Sequence, residues 1–276
     1  MKIREANTFL GINMNHMTRA RTKDFYIKSA GKKIYVQFTY PKKLPAPAII
    51  VAHGLRSYYP GFLDMFAKAF VRQGYIAVKF HFVGTGKSDG KFEDKSTAVM
   101  LKNFEDVLDF AAEQEDVSGI GVMGRSNAGS LCFVHGPDPR IKAYVLLAPG
   151  AYYSHEMKKF IATAKKQGNY FVHKSFKRPH TKGPGRLPFS FISELKKFDK
   201  PLQKNGAKLK RVMYLQSLHD EASPLSEGHF DYWKKHLPEP REMRLIDATN
   251  HSFGRKKREV ISHGVRWFKK YLPVKK

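Results

Sequence analysis

Ala48-Ile49-Ile50-Val51-Ala52 carries an apolar side chain at every position, and this run constrains the fold more than any other feature of the chain. A strand with one face in water alternates apolar and polar residues, so an unbroken run reads as a strand covered on both faces. The pattern recurs. Further strands are predicted over 75–80, 118–123, 141–147, 209–216 and 241–246. Helical spacing lies between them. Phe62, Met65, Phe66, Ala69 and Phe70 share one helix face, and Gly74 closes that helix. Leu101, Phe104, Leu108 and Ala111 mark a helix over 96–115, and shorter helices are expected over 127–135 and 224–236. Ile261, Val265, Phe268 and Leu272 line the last one. Repeated strand-then-helix units predict an α/β domain with a mostly parallel central sheet and helices on both faces. Before them, the alternation of Ile34, Val36, Phe38 and Tyr40, with residues 25–28 and a turn at Gly31, predicts an N-terminal hairpin.

About sixty residues separate the strand ending near Leu147 from the one starting near Leu209, far more than a simple crossover needs. We read this as an insertion over 151–206, a lid over the site. It holds a helical piece near 155–166, an extended Tyr170-Phe171-Val172, a turn at Gly183-Pro184-Gly185 and a second helical piece near 189–198. The core then comprises 24–150 and 207–276, preceded by a polar extension over 1–23.

At 276 residues and 42% hydrophobic, the chain suits one large domain with a sizeable core. Its formal charge is +26, from 50 Lys+Arg against 24 Asp+Glu. Such a field attracts polyanions, anionic surfaces and acidic substrates. The basic residues are spread in doublets, however, and even the densest run, Arg255-Lys256-Lys257-Arg258, reads as the exposed start of a helix. No nucleic-acid recognition motif accompanies them, so no specific nucleic-acid partner is expected. A single cysteine, Cys132, excludes an intrachain disulfide and is expected in the core. The absence of a signal-like apolar segment or a membrane-length run leads us to expect a cytoplasmic protein, monomeric or a homodimer.

The chemistry centres on Gly124-Arg125-Ser126-Asn127-Ala128-Gly129, placed between a predicted strand and a predicted helix. A serine on so tight a strand–turn–helix junction is exposed for attack, provided the residues two before and two after it are small. Gly124 and Ala128 meet that condition, although Ala128 departs from the usual glycine. A serine hydroxyl needs a base. His251, in the loop after the 241–246 strand, is the best placed, whereas His263 falls within a helix. The imidazole needs a carboxylate to hold its tautomer. Asp220, just past the 209–216 strand, is the first choice, with Glu221 and Asp247 as rivals. His53-Gly54-Leu55 ends the 48–52 strand. The backbone N–H groups of Leu55 and Asn127 could therefore form an oxyanion hole, with His53 anchoring the loop. Arg56, Tyr58, Tyr152, Tyr153, Tyr170 and His173 are candidates for lining a substrate pocket.

These residues occur in the order Ser, Asp, His. Together with His53-Gly54 and the run from Phe80 to Gly90, which is similar to a G-x-G-x-S loop, they resemble the α/β-hydrolase superfamily over about residues 24–272. The inserted lid and the Arg186-Leu187-Pro188-Phe189 region are similar to those of feruloyl-esterase-like and dienelactone-hydrolase-related esterases. The resemblance implies an α/β-hydrolase fold and hydrolysis of carboxylic esters without metal or organic cofactor, the substrate being a small-molecule ester. No metal-binding His or Cys motif is present. Thioester, acylglycerol and peptide hydrolysis remain open on the same triad, as does a non-catalytic, polyanion-binding use of the scaffold.

Overall fold

The structure is a computed structural model that describes residues 21–55, 61–153, 165–172 and 181–275. Strands β1 (Thr22–Ser29), β2 (Lys32–Thr39), β3 (Ala46–Ala52), β4 (Ile76–Phe80), β5 (Val117–Arg125) and β6 (Ile141–Leu147) precede the insertion. After it come β10 (Val212–Ser217) and β11 (Arg241–Ile246). They form one sheet in the order β1-β2-β4-β3-β5-β6-β10-β11. The β1–β2 pairing is antiparallel, as the predicted hairpin requires, and so is the β2–β4 pairing. Every pairing from β4 to β11 is parallel.

Helix α1 (Phe62–Arg72) and α6 (Lys257–Tyr271) cover one face, and α2 (Thr97–Ala112) and α3 (Asn127–His135) the other. α4 (Phe189–Gly206) and α5 (His229–His236) join the second layer. The strands feed both layers because successive side chains leave a strand on opposite sides. In β3, Ile49 and Val51 pack beneath α1 and α6, whereas Ala48, Ile50 and Ala52 pack beneath α2 and α3. β6 and β10 divide in the same way, with Val145 and Met213 on one side and Leu146 and Tyr214 on the other. This two-sided burial is what the unbroken apolar runs foretold. Phe66, Phe70 and Phe268 are fully buried. Each such side chain stabilises the fold by about 1.5–3 kcal/mol. Gly121 lets α6 approach, since a Cβ there would meet the Phe268 ring at 2.6 Å.

The segment between β6 and β10 departs from expectation. Its described residues form a separate sheet of β7 (Lys165–Gln167), β8 (Tyr170–Val172) and β9 (Arg186–Pro188) in that order, both pairings antiparallel. The predicted 155–166 helix is therefore wrong at its described end, where Lys165 pairs with Val172. The Lys-Lys-Gln stretch has no apolar period to reveal a strand. The rest of that prediction lies outside the described residues, as does most of the 1–23 extension. The helix predicted over 189–198 runs on to Gly206, with Leu195 and Leu202 buried in the main core. The 224–236 helix is broken. A single 3-10 turn at Leu225–Glu227 is followed by Gly228 in the left-handed region, at φ 73°, and only then by α5. The strand predicted from 209 begins at Val212, because Arg211 turns the chain with φ 58°. Among the described residues no helix is long and apolar enough to cross a membrane.

Candidate active site

The site lies where the strands β3, β5, β10 and β11 end. Ser126 sits between the last residue of β5 and the first of α3, with φ 54° and ψ −125°. A non-glycine residue in that region costs about 1–3 kcal/mol and persists only where its surroundings enforce it. Two backbone bonds do so: Ser126 N–H donates to Leu147 O at 2.7 Å, and Ser126 O accepts from Ser130 N–H at 3.0 Å. Gly124 is required by the same turn, because a Cβ there would lie 2.9 Å from the backbone of Ala128 and Gly129.

His251 is held by its own loop and by Glu221. Asn250 Oδ1 accepts from Ser252 N–H (2.9 Å) and Gly254 N–H (3.1 Å), and Glu221 Oε2 accepts the His251 N–H at 2.7 Å. His251 Nδ1 lies 2.8 Å from both carboxylate oxygens of Asp220. That carboxylate is itself fixed. Its Oδ1 accepts from Ala222 N–H (3.0 Å) and Ser223 N–H (2.8 Å), and its Oδ2 from Gln216 Nε2 (3.0 Å). With Nδ1–H directed at Asp220, Nε2 is the basic nitrogen. The histidine loop is tied to the serine turn by the neighbours of both residues, since Arg125 Nη2 donates to Ser252 Oγ at 2.8 Å.

The rival acids are engaged elsewhere. Glu221 serves the His251 backbone, and Asp247 is exposed, 3.8 Å from His219. His263 lies on α6 beside Glu259 and Arg266, its pKa lowered by burial and then by Arg244 and Arg266.

Leu55 follows β3 and is buried, and Asn127 opens α3. Among the described residues no acceptor meets the Leu55 N–H. The Asn127 N–H is one of the orphan donors of a helix's first turn. His53 is wholly buried and holds the peptide between Gly54 and Leu55. Its Nδ1 donates to Gly54 O at 2.8 Å, while its Nε2 accepts from Phe82 N–H at 3.2 Å. Burial, reinforced by Lys95, pushes the His53 pKa well down, so the ring is neutral. Ser88, in the Gly84–Ser88 loop, donates to His81 O at 2.6 Å and accepts from Tyr35 N–H at 2.9 Å, which is structural work.

The other candidates divide. Tyr153 is buried and its hydroxyl donates to Asn127 O at 3.3 Å, directly behind the serine turn. Tyr152 packs on His229 and Tyr232, and Tyr170 lies under the Arg186 guanidinium at 3.9 Å. The described contacts of these two are therefore with their own surroundings rather than with Ser126 or His251. Arg56, Tyr58 and His173 lie outside the described residues. Cys132 is in the core, where burial pushes its thiol up to about 12. Among the described residues no group of three His, Cys, Asp or Glu side chains could hold a metal ion.

Sequence reasoning missed four residues here. Gln216 was legible in principle, as a polar side chain closing an apolar strand. Arg125 stood inside the motif but without an expected role. Glu221 is expected from sequence only as a rival acid. Lys95, buried with its Nζ donating to Leu55 O at 2.9 Å, carried no signal among so many lysines.

Comparison with known proteins agrees with this architecture. Est1E from Butyrivibrio proteoclasticus, in a structure with bound ferulic acid, superposes with a TM-score of 0.73 over 90% of this chain and 99% of that one, at 18% identity. The α/β hydrolase GrgF from Penicillium sp. sh18 gives 0.71 over 91% and 99%, at 15% identity. In sequence the chain is 29% identical to a 31.7 kDa Escherichia coli protein of the traX-finO intergenic region, over 48% of this chain and 51% of that one. The chain thus spans about half the length of the curated relative it matches. The family described as serine aminopeptidase, S33, matches residues 43–213, more than half the chain and inclusive of Leu55 and Ser126. With that match, and with a mostly parallel sheet between helical layers in a fold shared with those solved structures, the chain belongs to the serine aminopeptidase S33 family and is an α/β hydrolase.

Proposed function

We propose that this hydrolase cleaves carboxylic esters through an acyl-enzyme formed on Ser126. The observation that carries the reading is the 2.8 Å approach of His251 Nδ1 to Asp220, in a loop bonded through Arg125–Ser252 to the strained serine turn. In the mechanism, His251 Nε2 takes the Ser126 proton as Oγ attacks the carbonyl carbon. The Leu55 and Asn127 N–H groups stabilise the oxyanion, each such donor contributing about 3–4 kcal/mol in the transition state. His251 returns the proton to the leaving alcohol. It then activates water, whose attack releases the acid and restores Ser126. Asp220 holds the imidazole in one tautomer and stabilises its cation.

The segment 151–206 is proposed as a lid. In support, Thr181 bridges to Thr85, and Phe92 N–H donates to Lys182 O at 2.9 Å, so the segment rests on the loop beside the site. Tyr153 at its base would border the acyl pocket. Aromatic or short-chain acyl esters are the favoured substrates, supported by the likeness to Est1E with its bound ferulic acid. The family's description as serine aminopeptidase makes peptides the second class to test.

The test is hydrolysis of p-nitrophenyl esters from acetate to decanoate, methyl ferulate and aminoacyl p-nitroanilides by wild type and Ser126→Ala. Turnover by the wild type and none by the variant supports the triad, and the preferred substrate sizes the pocket. Turnover of anilides alone would replace esterase by peptidase, and an active Ser126→Ala would remove the nucleophile assignment.

A further inference from the structure

Among the described residues Lys95 is the one buried lysine, 1% exposed. Its Nζ donates to Leu55 O at 2.9 Å and stands 4.4 Å from the Phe92 ring centroid. No carboxylate of the described residues pairs with it. Of the acids close to it in sequence or on the α2 N-terminus, Glu93 lies with Oε1 3.4 Å from Arg186 and a buried Oε2 that bonds neither Lys95 nor any other described group, Asp94 pairs with Lys32 at 3.3 Å, and Glu194 accepts from the Thr97 and Ala98 N–H groups. Among the described residues, the other charged and titratable side chains that act on this interior are cationic or neutral. Arg125 and His81 act on the same buried His53 as Lys95 does, and the N-terminus of α2 begins two residues on, at Thr97.

Burying an amine without a counter-charge is costly, and an apolar side chain would fill the space without that cost. What the amine holds is specific. His53 grips the Gly54 carbonyl, and the Leu55 N–H belongs to the same peptide unit. Lys95 grips the next carbonyl along, that of Leu55 itself. The backbone on both sides of the Leu55 Cα is thereby clamped.

Resting on the reading of Leu55 as an oxyanion donor, we propose that Lys95 is a positioning residue whose ammonium clamps the Leu55 carbonyl, aims the Leu55 N–H, and keeps an unneutralised positive charge behind the forming oxyanion. The charge acts most strongly in the transition state, where negative charge develops, so it serves kcat more than KM. Burial draws the amine down to about 7 from its ordinary 10.5. The advantage it confers is therefore present at low pH and fades as pH rises through that value.

The test compares wild type, Ser126→Ala, Lys95→Met and Lys95→Gln on p-nitrophenyl acetate between pH 6 and 9, with thermal melts and fluorophosphonate labelling of Ser126. Lys95→Met is expected to melt no lower than wild type, with kcat about tenfold to a hundredfold down, below the full loss of an oxyanion donor, and KM little changed. The ratio of wild-type to variant kcat should shrink as pH rises, a trend that structural damage alone would not produce. Lys95→Gln, which keeps a donor without the charge, should fall between. A folded Lys95→Met with wild-type kcat, or a loss that is the same at every pH, overturns the proposal. If Lys95→Met does not fold, Lys95→Gln is read against the same two outcomes. A wild type that neither hydrolyses ester nor labels at Ser126 removes the esterase reading and this proposal together. A labelled, active wild type with unaltered Lys95 variants removes this proposal alone.

Discussion

Asp220→Asn is the substitution whose consequence can be worked out most fully. The carboxylate accepts from four donors: His251 Nδ1, Gln216 Nε2 and the N–H groups of Ala222 and Ser223. Asparagine offers one oxygen and one NH2. If its oxygen keeps the two backbone N–H groups, its NH2 faces Gln216 Nε2 and His251 Nδ1. Gln216 is held from turning over to help, because its Nε2 also donates to Ser223 O at 2.7 Å, where a turned-over Oε1 would face another acceptor. The imidazole must then accept at Nδ1 and carry its proton on Nε2, the nitrogen that should take the proton of Ser126. In serine proteases this exchange lowers kcat by about 10⁴, or roughly 5–6 kcal/mol in the barrier. The lost charge-assisted bonds should lower stability by about 1.5–3 kcal/mol. The assay is p-nitrophenyl acetate hydrolysis at pH 7.5 beside a thermal melt, with Glu221→Gln as control. A folded Asp220→Asn within tenfold of wild-type kcat would refute the reasoning. A dead Glu221→Gln beside it would move the acid to Glu221.

Ser126→Gly should abolish hydrolysis and yet raise the melting temperature, since glycine adopts φ 54° without strain worth about 1–3 kcal/mol; an unchanged or lower melt would contradict the strained turn. Gly124→Val should cost more than about 3 kcal/mol or prevent folding, because its Cβ would meet backbone atoms at 2.9 Å, and circular dichroism melts would reveal it. Stability should also respond to pH through Lys95. Its folded pKa of about 7 lies below the ordinary 10.5, so between those values the unfolded chain binds more protons and stability rises with pH. The penalty is complete below pH 7 and released toward pH 10, so Lys95→Met should raise the melting temperature more at pH 6.5 than at pH 9.5; an equal gain at both would count against a buried charge.

Much of the fold is legible because strand and helix periods are local. The run 48–52 announces a strand covered on both sides, and the structure divides its side chains between two helical layers. Legibility fails where the cause is not periodic. Lys165–Gln167 is a strand only because β8 pairs with it, and Gly228 divides a predicted helix through one backbone angle.

The sequence alone determines which residues have the chemistry to act, and in what order they come: a serine between small residues on a strand–helix turn, a carboxylate and an imidazole in loops after later strands. It determines their loops because apolar periodicity marks where each strand stops. Tertiary structure alone decides which groups meet. It brings Asp220 rather than Asp247 against His251, across thirty-one residues of chain, and it bonds Arg125 to Ser252 across 127. It also decides that Lys95, among many lysines with nothing in their neighbours to distinguish them, is enclosed beneath Leu55. Such pairings depend on strand order, register and packing over long sequence separations, to which no local pattern of residues responds.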